Sequence, residues 1–541
     1  MSDHFFRKPL CGFLLICLLW AVFYTGYEYR MLMDDGHYMN ILQGLASSQL
    51  SPWTRFLHEK LFYLQGLAFG ASAEKSFFLA VLLHLAAVWT AWKHVATALP
   101  QKSRIPALIG VGIFAVHPVS MQTVVHIAQR SEILGVLFAA FAVSVYLKSL
   151  QAAVPSWKHA LWSGLLALLA LESKESYFTV CFLMFFAIAL RMRSRAVFAA
   201  VLATLVIGAV VATRDTVLEQ NSYEKTIYKR SRIARDAAIA GKTVDKEDSV
   251  VLTFPGRLEN LQIQTALVPR RLQITFAPFG TLFEYGRFPF GLQSYSLQNP
   301  WLWSGTGLMA CFVLLVLVFR RRFSFHEWLL VLSPALHYSV FWLFPVYDTL
   351  FLYRMYGSIF FMFVLSVPLV VGRLTDVRKK APQIIMPVLG VLCLAAALTR
   401  YAEMRTHVSQ TGVEMYRVPE NYRVYYRRLH ALVDGGLPVD CARSLEPART
   451  LSPSLSVYYI ELAWCLMRQG EVERARYFAR QSLEHESFGD NIHLALSYIS
   501  VPEGALINKE DVHPLNRGFI LPAFGKTPSG DELKKAAPRR Q

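Results

Sequence analysis

The chain has 541 residues, of which 54% are hydrophobic and 13% aromatic, and its formal net charge is +17; the mean hydropathy is +0.34. Such a chain is too apolar for an ordinary soluble protein and too often interrupted for one buried core, which leaves a polytopic membrane protein. Its cations form no stripe interleaved with exposed aromatics, so the excess charge is no nucleic-acid footprint.

Apolar stretches predict about eleven transmembrane helices: residues 9–29, 76–98, 105–120, 131–149, 159–171, 176–190, 196–213, 300–319, 327–346, 350–372 and 383–400. Every second connection is basic, from Arg7 and Lys8 at the start to Arg378, Lys379 and Lys380 near the end. Short cytoplasmic loops collect such residues. The alternation therefore predicts a cytoplasmic N-terminus and an exported C-terminus; a bacterial inner membrane follows only from the family resemblance described below. The first stretch has no small-x-small cleavage site after it and reads as a retained anchor.

The first exported loop, residues 30–75, begins with Asp34, Asp35 and His37. Two adjacent carboxylates at the mouth of a membrane bundle are either solvated surface or working groups. The same loop carries SPWTRFLHEKLFYLQGLAFG, in which Phe56, Leu57, Leu61, Leu64 and Leu67 recur at helical spacing and predict an amphipathic helix on the bilayer or the bundle. Beyond it, HPVSMQTVVHIAQRSE brings His117, Gln122, His126, Arg130 and Glu132 to the exported surface, and the turn ESKES adds Glu172, Lys174 and Glu175. Each has a plainer reading: His117 caps a helix before Pro118, Arg130 pairs with Glu132, and Lys174 snorkels.

The second exported loop, residues 214–299, starts as a charged helical segment and passes into RRLQITFAPFGTLFEYGRFPF, suited to an interfacial helix and a loop over a cavity. Glu284, Tyr285 and Arg287 lie there; Asp348, Arg354 and Tyr356 follow before the tenth span. The tail after Tyr401 contains VYYIELAWCLMRQGEVERARYFARQSLEHE, two amphipathic helices joined at Gln469 and Gly470 with small residues at their contact. The pattern resembles one tetratricopeptide repeat, or else an unrelated helical hairpin, and a lone repeat would need helical neighbours in residues 415–450 and 488–505. Cys441 and Cys465 are the two cysteines of this tail, where an oxidising compartment permits a disulfide. Alternatively, Cys465 is a small core residue. Three regions result: a membrane domain 1–400, a helical domain 401–524, and a disordered end 525–541.

The string FAVHPVSMQTVVHIAQRSEIL resembles the HP-containing motif of the transmembrane and tetratricopeptide-repeat O-mannosyltransferases (TMTC-type) and their bacterial relatives, with His117, Pro118, Val124, Ile127, Arg130, Glu132 and Leu134 in the pattern and Gln122 in place of a common Glu. MLMDDGHYMNI is similar to the family's first loop, His84 matches a recurrent His, and Ser173, Lys174 and Glu175 match its Ser-Lys-Glu turn. Glu284 and Tyr285 stand where Asp-Tyr is usual, and Arg354 and Tyr356 match a late motif whose acid is replaced near Leu352. The matches run in family order from about residue 30 to 365.

This resemblance implies an all-α integral membrane protein with a GT-C-like bundle and an extracytoplasmic TPR-like domain. It implies a glycosyltransferase that uses a polyprenyl-phosphate sugar, with the acceptor an exported protein such as a pilin, as in pilin glycosyltransferases of the TfpW type. The acid of the first loop, Asp34 or Asp35, is then the general base. Arg130, Lys174 and Arg354 are ligands of the donor phosphate, and His37, His117, Glu175, Glu284, Tyr285 and Tyr356 line the pocket. No acid or histidine cluster has metal-ligand spacing, so no metal or cofactor is read from the sequence beyond the donor lipid. Two rival readings stay open: a transporter or flippase for a lipid-linked sugar, and a lipid A or O-antigen sugar transferase.

Overall fold

The computed structural model describes residues 3–27, 56–70, 72–218, 257–279, 284–285, 300–343, 350–374, 381–417, 422–451 and 455–485. Asp34, Asp35 and His37 lie outside the described residues, as do Arg287, Asp348 and the expected helical neighbour at 488–505. The chain divides into two units, one of residues 1–226 and 254–406 and one of 227–253 and 407–541.

In the first unit a helix lies over each of the eleven apolar stretches. α1 is Asp3–Gly26, α2 Phe56–Phe69, and α3 Ala73–Thr90, which continues through a π turn at Ala91–Val95. α4 (Gln101–Val116) and α5 (Pro118–Val125) follow, then α6 (Arg130–Gln151), α7 (Trp157–Ser173), α8 (Glu175–Met192) and α9 (Arg195–Leu218). After α10 (Arg257–Ala266) and α11 (Val268–Phe276) come α12 (Pro300–Phe319), α13 (Phe325–Val331) and α14 (Ser333–Leu343). α15 (Tyr356–Phe361), a π turn at Met362–Ser366, α16 (Val367–Leu374) and α17 (Ala381–Met404) complete it.

Among the described residues, five of these helical runs are long and apolar enough to cross a membrane, or six if the bent pair α4–α5 is one span. α12 makes the case most directly, because only 11% of its most apolar stretch is buried and Phe312, Val313, Leu314, Leu315, Leu317 and Val318 all face outward. Twenty residues that are apolar on every side cannot stand in water but suit a hydrocarbon layer of about 30 Å.

Three elements differ from the sequence expectation, each for a local reason. The stretch 105–120 is not one straight helix: it bends by 45° between α4 and α5. His117 precedes a proline, which disfavours helical ψ, and it sits at φ −59, ψ 138. The stretch 350–372 does not begin as helix. Leu350 and Phe351 pair antiparallel with Tyr285 and Glu284 as strands β2 and β1, a 3-10 turn spans Leu352–Met355, and α15 starts only at Tyr356. In α2 the buried side is the polar-aromatic one, His58, Phe62 and Gln65, while Leu64 and Leu67 are exposed. Beside lipid the apolar face turns outward and the polar groups seek partners inside; here Gln65 Nε2 donates to Ser76 Oγ over 2.6 Å.

Helices α3, α4, α6, α7 and α8 pack on one another, and small residues bring backbones close. A Cβ on Gly110 of α4 would lie 1.8 Å from the Phe363 carbonyl oxygen, so only glycine permits that crossing.

In the second unit α18 (His407–Arg417), α19 (Tyr422–Asp434), α20 (Cys441–Leu451), α21 (Leu455–Arg468) and α22 (Val472–His485) pack in sequence order. The α21–α22 turn is made by Gly470 at φ +83, a conformation that favours glycine. Ala463, Ala475 and Ala479 are fully buried between the two helices, beside Leu462 and Leu466. Cys441 and Cys465 form a disulfide with their Cα atoms 5.9 Å apart, tying the start of α20 to the last turn of α21.

Candidate functional site

Two polar networks lie within the apolar interior of the first unit, and both join segments far apart in the sequence. The first centres on Glu132, in the first turn of α6 and fully buried. Tyr177 of α8 donates its hydroxyl hydrogen to Glu132 Oε2 over 2.9 Å, and the Lys174 ammonium stands 3.6 Å from Oε1. Lys174 is 6% exposed, so it does not snorkel but stands beside Glu132 as a buried ion pair. The Arg130 guanidinium, also fully buried, lies 3.6 Å from the centre of the Phe62 ring of α2.

Tyr177 is held tightly in place. A Cβ on Gly135 of α6 would meet its ring at 2.3 Å, and one on Gly357 of α15 would meet its Cε1 and hydroxyl at 2.6 Å. The ring also packs on His337 of α14 with centroids 4.5 Å apart, and His337 Nδ1 is 3.0 Å from Ser358 Oγ.

The second network centres on His84 of α3. Its Nε2 is 3.1 Å from the Ala115 carbonyl, which can only accept, so Nε2 carries the hydrogen and Nδ1 accepts from the Tyr356 hydroxyl over 2.6 Å. The Trp20 indole of α1 donates to the same carbonyl over 3.0 Å. Tyr356 is therefore buried and anchored at the start of α15, two residues beyond Arg354.

His117 forms a joint. Its Nδ1 accepts from the Val119 amide over 3.2 Å and caps α5, which leaves Nε2–H to donate to the Thr275 carbonyl of α11 at 3.3 Å. Arg354 lies half-buried in the 3-10 turn, with its guanidinium 5.5 Å from the centre of the Phe341 ring. Glu284 and Tyr285 are joined to that same segment through the β1–β2 pair. Glu175 begins α8, one residue after Lys174.

Two neighbourhoods hold several of the expected residues: Lys174 and Arg130 at the start of α6, and Arg354 against Phe341 of α14, with Glu284 and Tyr285 joined to its segment by backbone pairing; His117 and Tyr356 lie apart, in the α5–α11 joint and the His84 network. His337 and Phe341, both on α14, touch one neighbourhood each. Among the described residues no three His, Cys, Asp or Glu side chains converge as metal ligands do.

Tyr177, His337 and Arg271 were not legible as functional residues, though Asn260, Gln264 and Arg271 recur on one face of α10–α11 and could have drawn notice. Comparisons with protein-family models, with curated proteins and with solved structures find no match to this chain.

Proposed function

We propose that the protein is a GT-C glycosyltransferase that moves one sugar from a polyprenyl-phosphate donor to an acceptor outside the cytoplasm, with an exported protein such as a pilin as that acceptor. What carries the reading is contact between segments singled out separately by resemblance: the Ser-Lys-Glu turn meets the HP-containing segment through Lys174 and Glu132. Likewise, His84 of the third helix meets Tyr356 of the late segment. Contacts of this kind are what a shared architecture requires, and the sequence strings alone do not supply them.

In this reading the eleven helices are spans, the N-terminus is cytoplasmic, and the second unit is a TPR-like domain in the periplasm that docks the acceptor. The Cys441–Cys465 disulfide supports that location, since such bonds persist in oxidising compartments. Asp34 or Asp35 takes the proton of the acceptor hydroxyl, whose oxygen then attacks the anomeric carbon. The bond from that carbon to the phosphate oxygen breaks, and Arg354 stabilises the departing phosphate. Arg130 and Lys174 support Arg354 in that role, with the charge of Lys174 partly offset by Glu132.

The test is mass spectrometry of exported glycoproteins from cells with and without the gene, with Asp34→Asn and Asp35→Asn as further arms. The expected result is one sugar mass lost from a defined set of proteins on deletion and in at least one Asn variant. An unchanged glycoprotein profile would remove the transferase reading, and simultaneous loss of many unrelated lipid-linked sugars would instead indicate transport of the donor.

A further inference from the structure

Tyr338 and Phe341 lie about one turn apart on α14, with ring centroids separated by 5.0 Å. Each ring carries an arginine. The Arg271 guanidinium of α11 is 3.9 Å from the Tyr338 centroid, and that of Arg354 is 5.5 Å from the Phe341 centroid. Arg271 is only 8% exposed and is held by a chain of hydrogen bonds. Its Nη1 donates to the Gln264 carbonyl over 3.2 Å and its Nη2 to Gln264 Oε1. Gln264 donates in turn to Asn260 Oδ1, over 3.2 Å, and Asn260 donates to the Phe341 and Trp342 carbonyls, both at 3.0 Å. The chain of bonds therefore runs from Arg271 to the α14 backbone, which fixes Arg271 relative to the rings.

None of these partners is an acid. The side chains whose charge or dipole acts on Arg271 are Tyr338 and Arg354, and Arg354 is repulsive. Arg271 Nε is buried and has no hydrogen-bond partner among the described residues. A buried unfilled donor is costly, and two approaching guanidinium groups add to that cost. Ring faces offset part of the repulsion but accept no hydrogen bond of ordinary strength. A tetrahedral anion with several oxygens answers both problems, because the planar fork of arginine fits phosphate oxygens two at a time.

We propose that Arg271, together with Arg354, forms a binding site for the dianionic head of a phosphate monoester. The assignment of that ester as the polyprenyl phosphate released when a lipid-linked donor gives up its sugar rests on the transferase reading above; the anion site itself stands on the geometry. Arg271 thereby becomes a ligand of the leaving phosphate beside Arg354.

The experiment is a binding titration on the full-length protein in phosphatidylcholine nanodiscs. Farnesyl phosphate is the probe, with farnesol, inorganic phosphate and added phosphatidylglycerol as separate arms. Farnesyl phosphate is expected to bind saturably, at least tenfold weaker in Arg271→Gln, while farnesol shows no dependence on Arg271. Competition by inorganic phosphate or by phosphatidylglycerol would assign the same site to a free phosphate or to a lipid headgroup. Absence of saturable binding by any of the phosphates, or equal binding by wild type and Arg271→Gln, would overturn the proposal. Should Arg271→Gln not fold, the wild-type complex is imaged by cryo-electron microscopy: phosphate density within hydrogen-bond reach of Arg271 supports the site, and density elsewhere rejects it. Arg271-dependent binding in a protein whose deletion leaves all glycoproteins unchanged would keep the site and discard the transferase. Normal transfer with Arg271-independent binding would do the reverse.

Discussion

Replacing Lys174 by Met removes the counter-ion of a carboxylate that has 0% side-chain exposure, at a site where water cannot compensate. At the 3.6 Å separation of Nζ and Oε1, Coulomb attraction with an effective dielectric constant of about 20 is about 5 kcal/mol, and desolvation of both ions opposes it. Measured costs of breaking one side of a buried pair are about 3–5 kcal/mol, because the remaining charge is stranded. The hydrogen bond from Tyr177 continues to support Glu132, so the lower end, about 3 kcal/mol, is expected for Lys174→Met. Lys174→Met with Glu132→Gln should recover much of that loss, since the carboxylate that Lys174 balanced is removed with it. The assay is a double-mutant cycle on equilibrium unfolding in mixed micelles, with the coupling energy as the readout. A Lys174→Met protein as stable as wild type, or a double variant no better than the single, would refute the counter-ion argument.

Gly357→Ala places a Cβ 2.5 Å from His337 Nε2 and 2.6 Å from Tyr177, and should cost about 1–3 kcal/mol, whereas Gly112→Ala, whose Cβ meets nothing within 4 Å, should fall within about 0.5 kcal/mol of wild type. Equal thermal stability of the two variants would contradict the wedge between α6 and α15. Tyr356→Phe removes the donor to His84 and should destabilise the first unit by about 1–3 kcal/mol; an unchanged unfolding midpoint would show that the pair contributes nothing. Reduction of Cys441–Cys465, which closes a loop with a sequence separation of 24, should lower the stability of the second unit by roughly 3 kcal/mol. Alkylation before reduction, followed by peptide mapping, checks the bond directly, and labelling of both thiols in fresh membranes would exclude it.

The apolar stretches told where helices lie because each residue's transfer energy is a local property, and the same is true of the Gly470 turn. Which face of a helix points inward was harder to read. In α2 the leucine stripe was compatible with the bilayer or the bundle, and the side that enters the bundle carries His58, Phe62 and Gln65. Hydrophobic periodicity presumes water outside, and lipid reverses the sign of that preference. Pairings such as Glu132 with Lys174, or His84 with Tyr356, depend on how helices cross and leave no periodic trace. The same holds for Arg271: its basic charge was visible, but its burial against Tyr338 depends on the path of α11 over α14. The fate of Asp34 and Asp35 lies outside the described residues, so the proposed base rests on the sequence alone.

α12 also has a mechanical consequence. Its 20 residues give a rod of about 30 Å, close to the hydrocarbon thickness of an average bilayer. Near its first turns, a Cβ on Gly305 would lie 1.9 Å from the Thr265 carbonyl oxygen, so the helix is pinned backbone to backbone at that end. The rest of its length faces outward. In a thinner membrane, hydrophobic mismatch is therefore relieved by tilting α12 about its pinned end, at a cost of fractions of a kcal/mol per ångström. The interior networks around Glu132 and His84 draw no residue from α12, which leaves them insulated from the thickness of the surrounding lipid.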